Sequence, residues 1–134
     1  MENSATQPVR LAALPGEFSV CRGTATLDPG GDLWFAARTD QETSLVCRSS
    51  RVPPDCQRVQ PGWRALRVEG ELDFALTGIL SALLAPLASA GVPVFAVSTF
   101  NTDYILLPVA RFAAGIQALR AAGYPISMPE GEAK

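Results

Sequence analysis

The sequence has 134 residues, which is enough for one compact domain or for two small modules that share a core, and too few for two independent domains. A net charge of −2, with arginines spread along the chain, provides no basic surface for nucleic acid or for an anionic membrane. Histidine is absent and the one lysine is Lys134. Nucleophilic sites that use histidine, imidazole metal sites, Schiff-base chemistry and a P-loop are therefore excluded.

The cysteines predict reduced thiols in a cytosol rather than a disulfide framework or a zinc site. Cys21, Cys47 and Cys56 are odd in number, widely spaced and without a CxxC pair. Cys21 and Cys47 fall in alternating strand patterns, where we expect them to be small core residues. Cys56 lies in a proline-rich loop, and a redox role for it stays open.

The N-terminus and the longest apolar run favour a soluble, cytoplasmic protein. MENSATQPVR has no apolar stretch after a basic start, unlike a signal peptide. The run from Phe74 to Thr102 contains no charged residue. Pro86, Gly91 and Pro93 interrupt this run, so that about 20 unbroken apolar residues, the length of a membrane span, are not reached.

The first half of the chain predicts mostly strands. Residues 1–10 are expected to form a flexible tail, and residues 11–62 a β-rich half that begins with a short apolar run. The apolar runs 33–38 and 44–48 flank a polar turn of sequence TDQET, a pattern typical of a β-hairpin. The segment 49–62 is rich in proline and indicates a loop with one short strand at most.

The second half begins with a half-buried strand over 63–69 and continues with a long apolar helix. Asp73 stands at the N-cap position, because its carboxylate can accept from the backbone amides that follow and lies at the positive end of the helix dipole. Pro86 is expected to kink or shorten the last turn, and Gly91 to end the helix. The helix has one apolar face, which consists of Leu76, Ile79, Leu80, Leu83, Leu84 and Leu87. The side of the helix opposite this face has only small residues, so we expect the N-terminal half or a second subunit to cover it.

The elements predicted after this helix are a central strand at 92–99, a turn at 100–102, a strand at 103–107, a helix from Pro108 to Gly123 and a short last strand. The resulting order is βαββαβ, which is the ferredoxin-like arrangement of a four-stranded antiparallel sheet with two helices on one face. We therefore expect an α+β domain at 63–126, followed by a flexible tail at 127–134.

Several short segments at the turns of this second half carry a family resemblance. They are Val68-Glu69-Gly70, Leu72-Asp73-Phe74, Thr77-Gly78 and above all the stretch from Ser98 to Leu106. The text resembles the ACT domain, an amino-acid-binding regulatory module, and in particular small free-standing ACT proteins related to cytosolic arginine sensors. Residues 63–126 carry most of this resemblance. The half at 11–62 looks like a degraded ACT unit reduced mainly to strands.

The resemblance implies a non-catalytic sensor that binds an amino acid or a similar zwitterion between ACT units, with no cofactor and no metal. Because the arginine sensors carry four units and this chain has at most two, the site would lie within the chain or across a homodimer. The implied contact residues are Glu69, Gly70, Leu72, Asp73, Phe74, Ser98, Thr99, Phe100, Asn101, Thr102 and Asp103.

The chemistry of a zwitterion fits these residue types. Asp103 can accept from the ammonium group, and the backbone amides at the start of the helix after Asp73 can bind the carboxylate. Phe100 can lie along an aliphatic stem. Glu69 or Glu71 can pair with a basic side chain of the ligand.

The same residues also have purely structural explanations. Asp73 can be only an N-cap, and Phe100 can be a core residue. Asp103, with Asn101 and Thr102, can serve only to fix a β-turn through side-chain hydrogen bonds. On this view the alternative function is a ligand-free interaction or dimerisation module.

A third hypothesis is an enzyme that uses carboxylates as an acid and base pair. Glu69, Asp73 and Asp103 are its candidates, and such a mechanism needs two of them in one cleft with separated pKa values. Spacing along the sequence does not show such a cleft.

Overall fold

The computed structural model describes residues 9–23, 28–69 and 78–132. The chain divides into two compact units, which we call the strand unit (Gly16–Trp63) and the helical unit (Met1–Pro15 and Arg64–Lys134). The mixed α+β architecture agrees with the sequence-based prediction. In chain order the described elements are β1 (Leu11–Ala13), β2 (Phe18–Arg22), β3 (Trp34–Arg38), β4 (Thr43–Arg48), a 3-10 turn (Ser49–Arg51), β5 (Arg58–Val68), α1 (Ile79–Ser89), β6 (Phe95–Ser98), β7 (Asp103–Pro108), a 3-10 turn (Val109–Arg111), α2 (Phe112–Ala121) and β8 (Ile126–Ser127).

The strand unit is an antiparallel arrangement in the order β3, β4, β2 and the first part of β5. The predicted hairpin is confirmed, since all of β3 pairs with residues 43–47 of β4. Cys21 and Cys47 are buried, as their strand patterns predict. They form a small core with Leu45, against which Trp34, Val52 and Cys56 pack.

The strand β5 runs through Pro61 and Gly62, which the sequence analysis assigned to a loop. A shift in the register with β2 explains the difference, because these two residues lie opposite Ser19 alone. Such a β-bulge tolerates a proline, which has no N–H to donate, and it uses a glycine with positive φ, here +88°. The backbone N–H of Gly62 donates instead to the Glu17 carboxylate at 3.0 Å. Propensity alone does not reveal this compensation.

The sheet of the helical unit has the order β6, β7, β5, β1 and β8. The predicted βαββαβ strands are β5 to β8, but β1 is inserted between β5 and β8 as a fifth strand. Leu11 pairs with Val68 of β5 in the antiparallel sense and with Ile126 of β8 in the parallel sense. The sequence pattern places this segment in the N-terminal half, and the strand pairing corrects that prediction. Its three residues are all buried, as a strand with neighbours on both sides requires, and a short apolar run does not show which strands those neighbours are.

The strand β6 is shorter than predicted and is not central. Among the described strands it pairs with β7 alone. Its residues alternate between partly buried and exposed, so one face packs and the other faces solvent. The apolar composition of 92–99 suggested burial on both faces, whereas Val92, ahead of the strand, is the residue of this segment that becomes fully buried.

The helices bury the central residues of the faces that their periodicity predicts, although Leu84 of α1 is only partly buried and Leu76 lies outside the described residues. Leu83 and Leu87 of α1 are fully buried, and Ile79 and Leu80 pack against the same core. The core of the helical unit comprises Leu11, Ala13, Leu66, Val68, Leu83, Leu87, Val92, Ile105, Leu107, Phe112, Ile116, Leu119 and Ile126. Both helices thus pack on a single sheet.

The described helix α1 begins at Ile79, directly after Gly78, whose φ is +79°. The predicted N-cap, Asp73, lies outside the described residues. The helix continues through Pro86 for one more turn and ends at Ser89, and Gly91 follows the C-cap residue Ala90 as predicted. There the backbone N–H groups of Gly91 and Val92 donate to carbonyls of the last turn, at 3.0 and 2.9 Å. This is the hydrogen-bond pattern of a helix C-terminus with a left-handed glycine.

The opposite face of α1 is exposed in the single chain. Its residues Ser81, Ala82, Ala85 and Ser89 are small, and each of them is exposed to solvent. The uncharged sequence of this face predicts that the N-terminal half or a second subunit covers it. A second subunit in that role stays a prediction.

The helix α2 starts later than the sequence predicts and packs closely through a glycine. Pro108 is the last residue of β7, and a 3-10 turn separates it from Phe112, where α2 begins. A Cβ atom on Gly115 would lie 2.6 Å from Cδ1 of Leu107 and 3.3 Å from Cδ2 of Leu87. Gly115 therefore allows the helix to approach both β7 and α1.

We expect Gly115→Val to lower the free energy of unfolding by about 1–3 kcal/mol, because added methyl groups at this point force buried neighbours out of their rotamers. The control is Ala114→Val, which makes a β-branched residue at an exposed position of the same helix. Urea denaturation of both variants measures the difference. Equal losses in the two variants would contradict the close packing at Gly115.

Candidate functional site

The turn between β6 and β7 is closed by two threonines. The backbone N–H of Thr99 donates to the carbonyl of Thr102 at 2.8 Å, and the Thr99 hydroxyl donates to the same carbonyl at 3.0 Å. The backbone N–H of Thr102 in turn donates to the Thr99 hydroxyl oxygen at 3.3 Å. The sequence pattern predicts that Asp103, Asn101 and Thr102 fix this turn. In the structure Thr99 fixes the turn, because its hydroxyl both donates a hydrogen bond to Thr102 and accepts one from it.

Thr102 also joins this turn to the end of β5. Its hydroxyl donates to the carbonyl of Val68 at 2.8 Å, and the residue is only 7% exposed. A buried hydroxyl and a buried carbonyl satisfy each other here, which makes the contact costly to break. The end of β5 and the turn 99–102 therefore meet at one end of the sheet.

Asp103 lies beside Ser98 in the same hairpin. The two residues are directly paired between β6 and β7, and the Ser98 hydroxyl donates to Oδ1 of Asp103 at 2.7 Å. Asp103 is partly buried, and the Ser98 hydroxyl is a neutral donor, so the carboxylate has capacity to accept further hydrogen bonds. The arrangement holds an anionic group at the hairpin end of the sheet.

Phe100, at the tip of the turn, is 77% exposed. The structural explanation that placed it in a core is therefore wrong for the single chain. Asn101 is exposed as well. A large aromatic side chain on a turn tip can cover a ligand or contact another chain.

Glu69, the first residue after β5, is held by a neighbour that the sequence analysis did not select. Nε of Arg67 donates to Oε2 of Glu69 at 3.0 Å. The Glu69 carboxylate, followed by the nearby Tyr104 side chain, raises the pKa of the Arg67 guanidinium. The available signal was the spacing of two residues on a strand, which puts Arg67 and Glu69 on the same face. Glu69 is thus already paired with a cation.

The other half of the predicted site is not described. Gly70, Leu72, Asp73 and Phe74, together with Glu71, lie outside the described residues. The structure resumes at Gly78, and the first bond within α1 runs from the N–H of Ala82 to the carbonyl of Gly78 at 2.8 Å. The N–H groups of residues 79–81 come before that bond, so they have no acceptor within the helix.

A cavity of about 490 Å³ lies elsewhere in the helical unit, between α2 and the segment after β8. Beside it, the Arg64 guanidinium lies 4.4 Å above the Phe112 ring and donates to Glu132 at 3.0 Å. None of the predicted contact residues lines this cavity. Its lining consists of Phe112, Ala113, Ile116, Gln117, Arg120, Met128 and Glu132.

Neither a metal cluster nor a membrane-spanning helix is found in the part of the chain that the structure describes. No three of its Cys, Asp and Glu side chains are arranged to hold a metal ion. None of its helices has both the length and the apolar character that crossing a bilayer requires.

Two similarities identify the family, and two further ones show the fold. Residues 58–121 match the family model of the ACT domain. The crystal structure of Atu0741, a protein from Agobacterium tumefaciens, is similar over 96% of this chain and 99% of its own, with 30% sequence identity and a TM-score of 0.83. The regulatory subunit of aspartate kinase from Thermus flavus is similar over 87% of this chain and 99% of its own, with 9% identity and a TM-score of 0.63.

A whole aspartate kinase, from Clostridium acetobutylicum, is similar over 89% of this chain and 36% of its own, again with 9% identity and a TM-score of 0.63. At 9% identity the two kinase proteins show the fold alone. The family model covers the strands and helices that carry the hairpin and its neighbours, and the Agobacterium protein extends the similarity to nearly the whole chain. On these grounds this chain belongs to the ACT domain family.

Proposed function

We propose that this protein is a non-catalytic regulatory module that binds a small amino-acid-like zwitterion where the end of β5 meets the turn 99–102. The observation that carries the proposal is the buried hydrogen bond from Thr102 to the Val68 carbonyl, which joins these two segments. The full proposed contact set is the one that the resemblance implies. Its members Gly70, Leu72, Asp73 and Phe74 belong to the proposal without a described geometry.

The Asp103 carboxylate is the acceptor that we propose for the ligand's ammonium group. Its carboxylate is partly buried at the hairpin end and receives a neutral hydroxyl from Ser98 at 2.7 Å. A charge-assisted hydrogen bond from an ammonium group is stronger than one between neutral groups. Glu69 is paired with Arg67, so Asp103 is the better of the two as the ammonium acceptor.

The backbone N–H groups in the first turn of α1 are the donors that we propose for the ligand carboxylate. The N–H groups of residues 79–81 have no acceptor inside the helix, and they lie at the positive end of the helix dipole. Helix N-termini bind anions for these two reasons. Phe100, exposed at the turn tip, is the apolar contact proposed for the ligand's aliphatic part.

The pairing of Glu69 with Arg67 bears on ligand specificity. A ligand with a basic side chain would have to displace Arg67 from Glu69, which costs part of the new ion pair. A neutral side chain makes no such demand. We therefore propose a neutral amino acid rather than a basic one.

The relatives support a regulatory role without catalysis. The Thermus flavus protein is a regulatory subunit of aspartate kinase, and the Clostridium acetobutylicum protein is described as an allosteric enzyme. A chain similar to the whole of a regulatory subunit is suited to respond to a small molecule and pass the response to a partner. Cytoplasmic location and assembly as a homodimer belong to the same proposal.

The exposed small-residue face of α1 favours a second candidate function, a ligand-free interaction or dimerisation module. An uncharged helix face of this kind allows close approach of another chain. The two candidates differ in one observable, since only the first responds to a ligand. The three predictions that follow separate them.

The wild-type protein is expected to gain thermal stability from a neutral amino acid and to lose this response in Asp103→Asn. A ligand at about ten times its Kd raises the melting temperature by roughly 5 °C. Removing the charge weakens binding by about 10- to 100-fold, because a hydrogen bond to a charged group is lost. Thermal shift against the amino acids, followed by calorimetry, measures both effects.

The matched control is Asp40→Asn, the same substitution at the exposed turn between β3 and β4. It is expected to leave binding unchanged. No stabilisation of the wild-type protein by any amino acid at millimolar concentration would leave the interaction module as the function.

Thr102→Val tests the junction between the turn and β5. The variant keeps the shape of the side chain and removes the donor to the Val68 carbonyl, so we expect a loss of about 1–3 kcal/mol in the free energy of unfolding. Ligand affinity should fall with it, since the two segments are no longer joined. Thr43→Val, in β4, serves as the control. Unchanged affinity in a folded Thr102→Val protein would show that this junction does not position the site.

Ala85→Arg tests the exposed face of α1. If this face is a subunit contact, a buried charge without a partner should lower the oligomeric state from dimer to monomer. Sedimentation analysis measures the outcome, with Ala114→Arg on the exposed face of α2 as the control. The same mass for wild type and Ala85→Arg would exclude this face as the contact.

A further inference from the structure

The strand unit holds a cluster of three free thiols that the proposed function does not use. Cys21 and Cys47 are fully buried, whereas Cys56 is partly exposed. Cys56 packs against the small core that the other two form with Leu45. One thiol of the cluster is thus open to solvent, and two lie behind it.

The two buried cysteines are poorly placed to join each other. In the β2–β4 pair, Cys21 is opposite Leu45 and Cys47 is opposite Ser19, so the cysteines are diagonal neighbours. Diagonal positions have Cα atoms about 7–8 Å apart, beyond the separation of about 4.4–6.8 Å that a disulfide usually needs. Both residues are held by strand hydrogen bonds, so a shift of either would disturb the sheet.

Cys56 is better placed to reach Cys21. It lies in the loop before β5, where its own N–H donates to the carbonyl of Pro53 at 3.3 Å. The next residue, Gln57, donates its backbone N–H to the carbonyl of Arg22 at 3.0 Å. This bond joins the residue after Cys56 to the residue after Cys21. A loop residue beside a strand residue can adjust its backbone to meet disulfide geometry.

We propose that Cys21 and Cys56 are a redox modification site, at which a hydroperoxide converts the two thiols into a reversible disulfide. With hydrogen peroxide, in the first step the Cys56 sulfur attacks a peroxide oxygen, an S–O bond forms, the O–O bond breaks and the displaced hydroxide leaves as water with the Cys56 proton, which makes a sulfenic acid. In the second step the Cys21 sulfur attacks the Cys56 sulfur, the S–S bond forms, the S–O bond breaks and a second water carries away the Cys21 proton. The two thiols lose two electrons and two protons, and hydrogen peroxide is reduced to two water molecules.

The order of the steps follows from exposure and charge. An oxidant in solution reaches the partly exposed Cys56 first. Burial raises the pKa of the Cys21 thiol to about 12, and the neighbouring Cys56 and Cys47 thiols add to the shift. Cys21 therefore has a smaller thiolate fraction than an ordinary thiol and reacts more slowly with an oxidant in solution. It acts as the resolving partner once Cys56 carries an oxygen.

The disulfide would close a covalent loop that contains β3 and β4. Closing a loop restricts the unfolded chain, and this stabilises the folded state unless the bond strains it. Oxidation is thus expected to make the strand unit harder to unfold, and a thiol reductant to reverse the effect. The modification would report the presence of a hydroperoxide through the stability of this unit.

The test uses the full chain and hydrogen peroxide. Trypsin cleaves after arginine, so each cysteine falls in its own peptide, at 11–22, 39–48 and 52–58. After oxidation, the remaining thiols are alkylated and the digest is made without reductant. The expected product joins peptides 11–22 and 52–58 and is lighter than their sum by two hydrogen atoms. Peptide 39–48 should carry the alkyl group.

Variants and a denatured sample give the matched controls. Cys47→Ala should form the same cross-link at the same rate within about twofold, and Cys56→Ser should form none. The oxidised wild type should melt above peroxide-treated Cys56→Ser. A sample oxidised in urea should give mixed pairings, because the native geometry that selects one pair is lost.

Four results would overturn the proposal. They are a link between peptides 11–22 and 39–48, an intermolecular link between two 52–58 peptides, oxidation of Cys56 to sulfinic or sulfonic acid without a cross-link, and the same single link in urea. Circular dichroism of each variant confirms that the protein tested is folded.

Discussion

Main-chain pairing on both sides of the second part of β5 is the constraint on which the helical unit depends. Its residues Ala65, Leu66 and Val68 are buried, with β1 on one side and β7 on the other. Because β5 has neighbours on both sides, its end point is fixed within the sheet. The hydroxyl of Thr102 reaches that end point through one buried hydrogen bond. A hairpin turn is thus tied to a central strand rather than left at a free edge.

This junction explains why a functional site and a structural contact are hard to separate in this fold. Thr99 and Thr102 hold the turn together through three side-chain hydrogen bonds, and Asp103 accepts from Ser98 beside the turn. A polar group held in place by others is well suited to recognition, because a rigid arrangement loses little entropy on binding. Glu69 shows the opposite case, since Arg67 already neutralises it. Asp103 in the hairpin is therefore a better candidate for binding a ligand than Glu69 at the end of β5.

The strand unit shows how a small core can combine packing with chemistry. Cysteine behaves there as a small apolar residue, which agrees with the alternating pattern of its strands. The same cluster brings the partly exposed thiol of Cys56 next to the buried thiols of Cys21 and Cys47. The spacing of these residues along the chain does not reveal that they are neighbours. The bulge at Pro61 and Gly62 is a similar case. Two residues that usually end a strand are accommodated in one, because Glu17 supplies the acceptor that the ladder lacks.

Local pattern determined most of the architecture. The helical spacing of Leu83 and Leu87, the glycine after each helix, the hairpin around TDQET and the ACT motif at the second hairpin are all properties of short segments, and side-chain periodicity and turn chemistry are enough to predict them. Tertiary structure alone decided that β1 lies between β5 and β8 and that Thr102 joins the turn to Val68. These features depend on which segments meet across more than thirty residues of chain, and that choice is made by burial and hydrogen-bond satisfaction summed over the whole sheet.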